Sequence, residues 1–314
     1  MKKLEEEALR ADLAAVESLL ASRTEEEDPI GWKHFQDRLS ELSEQLTTVE
    51  RQLDTTASVA LFFGGRPVFG SRGIEADFGG QALQQFQTAV NTRLAELSTT
   101  VGSRGPLPLW AQGQMLLTDL ARGSLGFVLE EANNVELVDS QLKSAVEDVV
   151  DLIHGLTSSD DELFEAATED VDKRVFASVK SFIKLIDDKG ATLRIVEGDR
   201  DFALQRDAIE IASQRVEDLQ IDEDTISANG IIYLLPDSRR FELHASEGQI
   251  LKGRIDAGIL SSLIDQYGEA LPGIIGSTVH VSLARRKIVA RGRAPRFSFR
   301  LTGFSRERSQ VSDK

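Results

Sequence analysis

The stretch Ser58-Val59-Ala60-Leu61-Phe62-Phe63-Gly64-Gly65-Arg66-Pro67-Val68-Phe69-Gly70 sets a continuous apolar run against a pair of glycines. Glycine tolerates the positive φ that tight turns demand. The run therefore reads as one strand of a β-hairpin that turns at Gly64-Gly65 and returns through residues 66–70. Beyond it, Gly79-Gly80 opens a helix on which Leu83, Phe86, Val90, Leu94 and Leu97 form one apolar stripe. The pattern recurs downstream. Residues 115–120 and 125–129 flank Arg122-Gly123-Ser124, and a helix follows that carries Val138, Leu142, Val146, Val149, Ile153 and Leu156. Two such ββα units can pair their strands in one antiparallel sheet with both helices on a single face, where each stripe finds cover. The expected fold class is α+β.

Upstream of this region the period is different. Leu9, Leu13, Val16 and Leu20, and then Phe35, Leu39, Leu42, Leu46, Val49 and Leu53, follow the alternating three- and four-residue spacing of heptads. They predict two amphipathic helices joined by Thr24-Glu25-Glu26-Glu27-Asp28-Pro29, with Asp28 as N-cap and Pro29 in the first helical turn. A narrow apolar seam on otherwise polar helices fits a coiled-coil-like hairpin that closes on itself or on a second copy. A protein partner or self-association is the expectation for residues 1–54.

Downstream, Ser159-Asp160-Asp161-Glu162 fits a capping box that starts another helix, and Val171, Val175, Val179, Phe182 and Ile186 stripe the next one, which ends at Lys189-Gly190. From residue 191 the pattern turns to short strands. A strand at 192–196 and a helix around 204–219 precede a meander over 231–235, 240–244 and 250–255. A short helix at 260–267 and two strands at 279–290 and 296–304 complete it. Five short antiparallel strands with one inserted helix resemble the small barrels of the OB and SH3-like kind. That resemblance is one of pattern and carries no functional residues with it. The organisation expected is thus a helical hairpin at 1–54, an α+β domain at 55–190 and a barrel-like domain at 191–314.

Charge is segregated along the chain. The total is −16, from 36 Lys and Arg against 52 Asp and Glu, which argues against a protein that coats nucleic acid or anionic membrane over its whole surface. Between Glu130 and Asp172 fourteen acids face the single base Lys143, whereas from His280 to Lys314 ten bases face two acids. In Arg296-Phe297-Ser298-Phe299-Arg300-Leu301, strand alternation puts the phenylalanines and Leu301 on the core side and Arg296, Ser298 and Arg300 toward solvent. Arg285, Arg286, Lys287, Arg291, Arg293, Arg296 and Arg300 are therefore the candidate contacts for nucleic acid or an acidic partner. The acidic middle is a candidate dock for a basic partner, or for the basic end of this same chain.

Chemistry-bearing motifs are sparse. Gly70-Ser71-Arg72-Gly73 and Gly102-Ser103-Arg104-Gly105 repeat, and Ser71, Arg72, Ser103 and Arg104 are weak candidates for an anion nest, without the Gly-Lys-Ser/Thr of a phosphate loop. Glu162, Glu165 and Glu169 share a helix face and are candidates for a divalent cation, with no Glu-x-x-His step beside them. The chain has no cysteine, which removes thiol catalysis and thiolate metal sites and fits a reducing compartment. There is no nucleophile elbow, zincin motif or dinucleotide fingerprint, so no cofactor is expected and an enzyme assignment has no support. Met1-Lys2-Lys3-Leu4-Glu5-Glu6-Glu7 breaks into acids where a secretory signal needs an apolar run, and no apolar stretch approaches the ~20 residues of a membrane span. The expectation is a cytoplasmic, non-enzymatic interaction or regulatory protein, a subunit of a multi-component bacterial system. A nucleic-acid adaptor and a carboxylate metal enzyme stand as alternatives.

Overall fold

The computed structural model of the chain describes residues 1–98, 113–121, 125–132, 138–169, 171–235, 238–267, 275–292 and 294–306. Helices α1 (Lys2–Ala21) and α2 (Pro29–Arg51) form an antiparallel hairpin, and Lys2 at its start reaches the Glu50 carbonyl at its end. The Asp28 carboxylate accepts the Gly31 N–H at 2.9 Å, and Pro29 sits in the first turn, where its missing donor costs nothing.

The apolar run becomes β1 (Ser58–Gly65), the middle strand of a five-stranded sheet in the order β2-β3-β1-β4-β5. Its partners are β2 (Met115–Ala121), β3 (Leu125–Glu131), β4 (Ala191–Glu197) and β5 (Arg200–Leu204), and every pairing is antiparallel. Alternation along β1 feeds two cores. Val59, Leu61 and Phe63 enter the main core, while Ala60 and Phe62 meet Val128 and Val196 on the opposite face, which Met1 and Leu4 cover. Five helices form the layer on the main-core side: α3 (Ala76–Ser98), α4 (Gln141–Thr157), α5 (Asp161–Glu169), α6 (Lys173–Asp188) and α7 (Arg206–Asp218). Phe86 of α3 and Phe182 of α6 meet edge to face at 5.9 Å in its centre, a contact worth about 0.5–1.5 kcal/mol beyond area burial.

The expected first hairpin does not form. Residues 66–70 turn instead, with the Phe69 N–H on the Gly73 carbonyl at 2.8 Å, and only Val68 makes an isolated bridge, to Ile74. Pro67 has no N–H to give a ladder and Gly70 sits at φ +58°, so the segment cannot continue as a strand. β1 is buried on both faces and takes full-length neighbours, residues 125–130 on one edge and 191–196 on the other. The segment 191–218, grouped by its sequence with the carboxyl-terminal unit, therefore supplies β4, β5 and α7 to the first sheet and its helix layer. Three helix starts also shift: α3 begins at Ala76, so Gly79-Gly80 lie within it and do not open it. Asp160, not Ser159, caps α5 through the Glu162 N–H at 2.8 Å, and Val138 lies exposed ahead of α4, which Ser140 caps.

The carboxyl-terminal unit is a closed barrel in the order β10-β8-β7-β6-β9, built from β6 (Gln220–Leu235), β7 (Arg240–Ala245), β8 (Ile250–Ile255), β9 (Thr278–Val289) and β10 (Arg296–Arg306). Helix α8 (Ala257–Tyr267) is capped by Asp256 through the Gly258 N–H at 2.9 Å. It packs Leu260 and Leu263 against Ile232, Leu243, Val281 and Leu301. Strand lengths are unequal: 16 residues in β6, 12 in β9 and 11 in β10, against six each in β7 and β8. The long strands overhang the barrel at one end.

Candidate functional site

The overhang has two faces, and they do different things. Its outer face lies on the helix layer: Ile221 and Ile288 complete the main core, and Ala284, Arg286 and Ser298 are buried beside them. Arg286, only 4% exposed, donates to Asp172 ahead of α6 at 3.0 Å and to Glu223 at 3.3 Å. Arg296 donates to the Glu165 carbonyl at 3.1 Å and the Thr168 hydroxyl at 3.0 Å on α5. Arg300 pairs with Glu96 of α3, which also holds Arg93, and Arg93 in turn reaches Asp148 of α4 at 2.7 Å.

The electrostatics follow from that geometry. Burial pushes the Glu96 carboxyl up, but the Arg93 and Arg300 guanidiniums outweigh it and hold the group below the usual carboxylate range. Burial likewise works against the charge on Arg300, and Glu96 more than restores it. Buried charges of this kind cost several kcal/mol to desolvate and persist only when paired and hydrogen-bonded. They fix how the barrel sits on the helices.

The candidate contact residues thus divide. Arg286, Arg296 and Arg300 turn inward to the helix layer, so the arginine row of β10 faces protein and not solvent. The cause is the docked neighbour: alternation separated the two faces of β10, and packing decided which one is wet. Arg285 pairs with Asp224 across the ribbon at 2.9 Å, which draws the Asp224 carboxyl downward. Lys287 and Arg291 are exposed, and Arg293 lies outside the described residues. Glu162, Glu165 and Glu169 line one cleft with Arg296. Among the described residues no group of three or more His, Asp or Glu is arranged to hold a metal ion. Ser71 and Arg72 are exposed turn residues, and Ser103 and Arg104 fall outside the described residues.

The inner face of the overhang continues the barrel lumen into solvent. β10 and β8 pair in parallel only through residues 299–301 and 253–255. Gly253 allows that contact, because a Cβ there would lie 1.8 Å from the Phe299 carbonyl oxygen. Toward their amino ends the two strands part, and the gap opens on a groove of about 480 Å³. Ile226, Ala228, Leu251 and Phe299 give it an apolar lining, and Phe297 and Arg285 flank it. Phe297 is 51% exposed, with the Arg285 guanidinium 5.8 Å from its ring centroid. Asn229 and His280, hydrogen-bonded to each other at 2.5 Å, add polar groups to the lining. Ser227, Ser246, Glu247 and Gln249 complete it, so the concavity pairs its apolar lining with as much polar lining.

Sequence reasoning missed this groove by placing Phe297 in the core with Phe299 and Leu301. The three do share a face, but Phe297 lies beyond the end of the barrel. Residues 250–252 of β8 run level with 296–298 but part from them, and no local pattern in the sequence signals that parting. Comparison with known protein families, curated proteins and solved structures finds no match for the chain.

Proposed function

We propose that the protein is a non-catalytic, cytoplasmic interaction protein whose receptor site is the barrel mouth, and that it binds an extended segment of a protein partner. The observation that carries this reading is the parting of β8 and β10 over a groove that holds apolar residues Ile226, Leu251 and Phe299 among polar ones and is flanked by the exposed Phe297. A strand edge without a neighbour offers backbone donors and acceptors to an added strand, and a pocket beside it selects an alternate side chain. Phe299, Leu251 and Ile226 suit an apolar or aromatic anchor, and Arg285 and Asn229 suit the polar backbone around it. Among the described residues no helix is long and apolar enough to cross a membrane, and the chain has no cysteine, both of which agree with this role.

A single nucleic-acid strand is the second reading, favoured by the Phe297 ring beside Arg285. It is weaker on charge. Arg286, Arg296 and Arg300 are spent on the helix layer, and Glu247 lines the groove while Asp224 neutralises Arg285.

A random peptide display library selected on the immobilised full chain, in parallel with Phe297→Asp, tests both readings, together with anisotropy of labelled oligo-dT and oligo-U at low salt. The expected result is enrichment of peptides with alternating apolar residues by the parent, loss of that enrichment in the variant, and no oligonucleotide binding. Equal or absent enrichment contradicts the peptide reading. Salt-sensitive oligonucleotide binding that Phe297→Asp abolishes would transfer the site to nucleic acid.

A further inference from the structure

The amino-terminal hairpin carries an inference independent of the barrel mouth. Helix α1 buries none of its 20 residues, and α2 buries only Leu42 and Val49 of its 23. The hydrophobic packing of the hairpin on the body is confined to its base, where Met1 and Leu4 rest on the sheet around Phe62 and Val196. Along the rest of its length, the seam residues Leu9, Leu13, Val16, Leu20, Phe35 and Leu39 are only partly buried. Two helices cover only part of each other's stripe. Helical stability in proteins comes mostly from buried faces, and this pair buries little of its own.

We infer that the hairpin pairs with that of a second copy to form an antiparallel four-helix bundle. Three observations favour a second copy as the occupant. The alternating three- and four-residue spacing on both helices is the geometry of left-handed bundles, in which the same seam serves all four members. The area suffices: helices of 20 and 23 residues are about 30 and 35 Å long, and two side by side present a face about 20 Å wide. With side-chain relief that face is on the order of the ~800 Å² per partner that stable dimers bury. The charge also permits it. Three bases stand against five acids in α1, and three against four in α2, so the helices approach their copies with little repulsion although the whole chain carries −16. Much of the surplus acid sits in the connecting loop, at Glu25, Glu26, Glu27 and Asp28.

Light scattering on gel-filtered full chain over a range of concentrations tests the inference, with Leu13→Lys and Leu39→Lys as variants and circular dichroism as the check on folding. The expected parent mass is twice 34.5 kDa, and each variant raises the dimer dissociation constant at least tenfold (~1.4 kcal/mol) while keeping its helicity. Because the chain has no cysteine, single-cysteine forms give a second readout that leaves the seam nearly intact. With a short bismaleimide, Leu39→Cys links into a dimer and Asp37→Cys, on the outer face of α2, does not. A single-chain mass at every concentration overturns the inference. So does a dimer that survives both lysine variants, or equal linkage at Leu39→Cys and Asp37→Cys.

Discussion

The two faces of β10 lie a side chain apart and behave as opposites. On the outer face Arg296 and Arg300 are taken up by α5 and α3 beside the buried Ser298, and on the inner face Phe297 stands in solvent above the groove. Charge that reads as a binding surface works here as an internal joint, and apolar residues that read as core form the open site. The difference teaches that segregation of charge along a chain is evidence of attraction without naming the attracted party. In this protein Arg286 and Arg296 of the basic end meet Asp172 and Glu165 of the acidic middle, while Arg300 meets Glu96, outside it.

The largest effect should come from the joint. Glu96→Ala leaves the buried Arg300 guanidinium without its paired carboxylate and Arg93 with Asp148 alone, and unfolding in denaturant should show a loss of about 3–5 kcal/mol. A loss of only a few tenths of a kcal/mol would mean that the pairing is a surface ornament. Next comes the seam that closes the barrel. Gly253→Ala forces a methyl against the Phe299 carbonyl, and the same measurement should show a cost of about 1–3 kcal/mol, with peptide binding at the mouth altered as well.

The joint should also respond to acid. The Glu96 carboxyl titrates lower in the folded than in the unfolded chain, so the unfolded state takes up the proton first as pH falls. Its stabilisation is complete above the ordinary glutamate value of about 4.3 and is lost as pH drops through the lowered folded value. The gap in thermal midpoint between the parent and Glu96→Gln should therefore narrow on acidification from neutral pH; a constant gap would contradict the pairing. The smallest effect on stability belongs to the mouth. Phe297→Ala should change unfolding by less than about 0.5 kcal/mol, since half the ring is already in water, while removing the peptide selection described above.

Local signals made much of the architecture legible. Heptad spacing located α1 and α2, the 3.6-residue stripes located α4 and α6, and turn residues bounded β7 and β8. Strand partnership was less accessible, because it depends on residues far apart in sequence. Residues 66–70 look like the natural second strand of a hairpin, yet β4, more than a hundred residues later, takes that edge of β1. The first half of β6, Gln220-Ile221-Asp222-Glu223-Asp224-Thr225, reads as a polar connection and is a strand because β9 pairs along all of it. The groove was hidden for the same reason: Phe297 obeys strand alternation, and only the parting of β8 from β10 exposes it.

A double-mutant cycle between Glu96→Gln and Arg300→Met, read by denaturant unfolding at low and high salt, tests the central claim most directly. If Arg300, with Arg286 and Arg296, is spent on holding the barrel against the helix layer, the coupling exceeds about 1 kcal/mol and survives high salt, as buried pairs do. Additive losses, or a coupling that added salt erases, would contradict that claim and return those arginines to solvent and to outside partners.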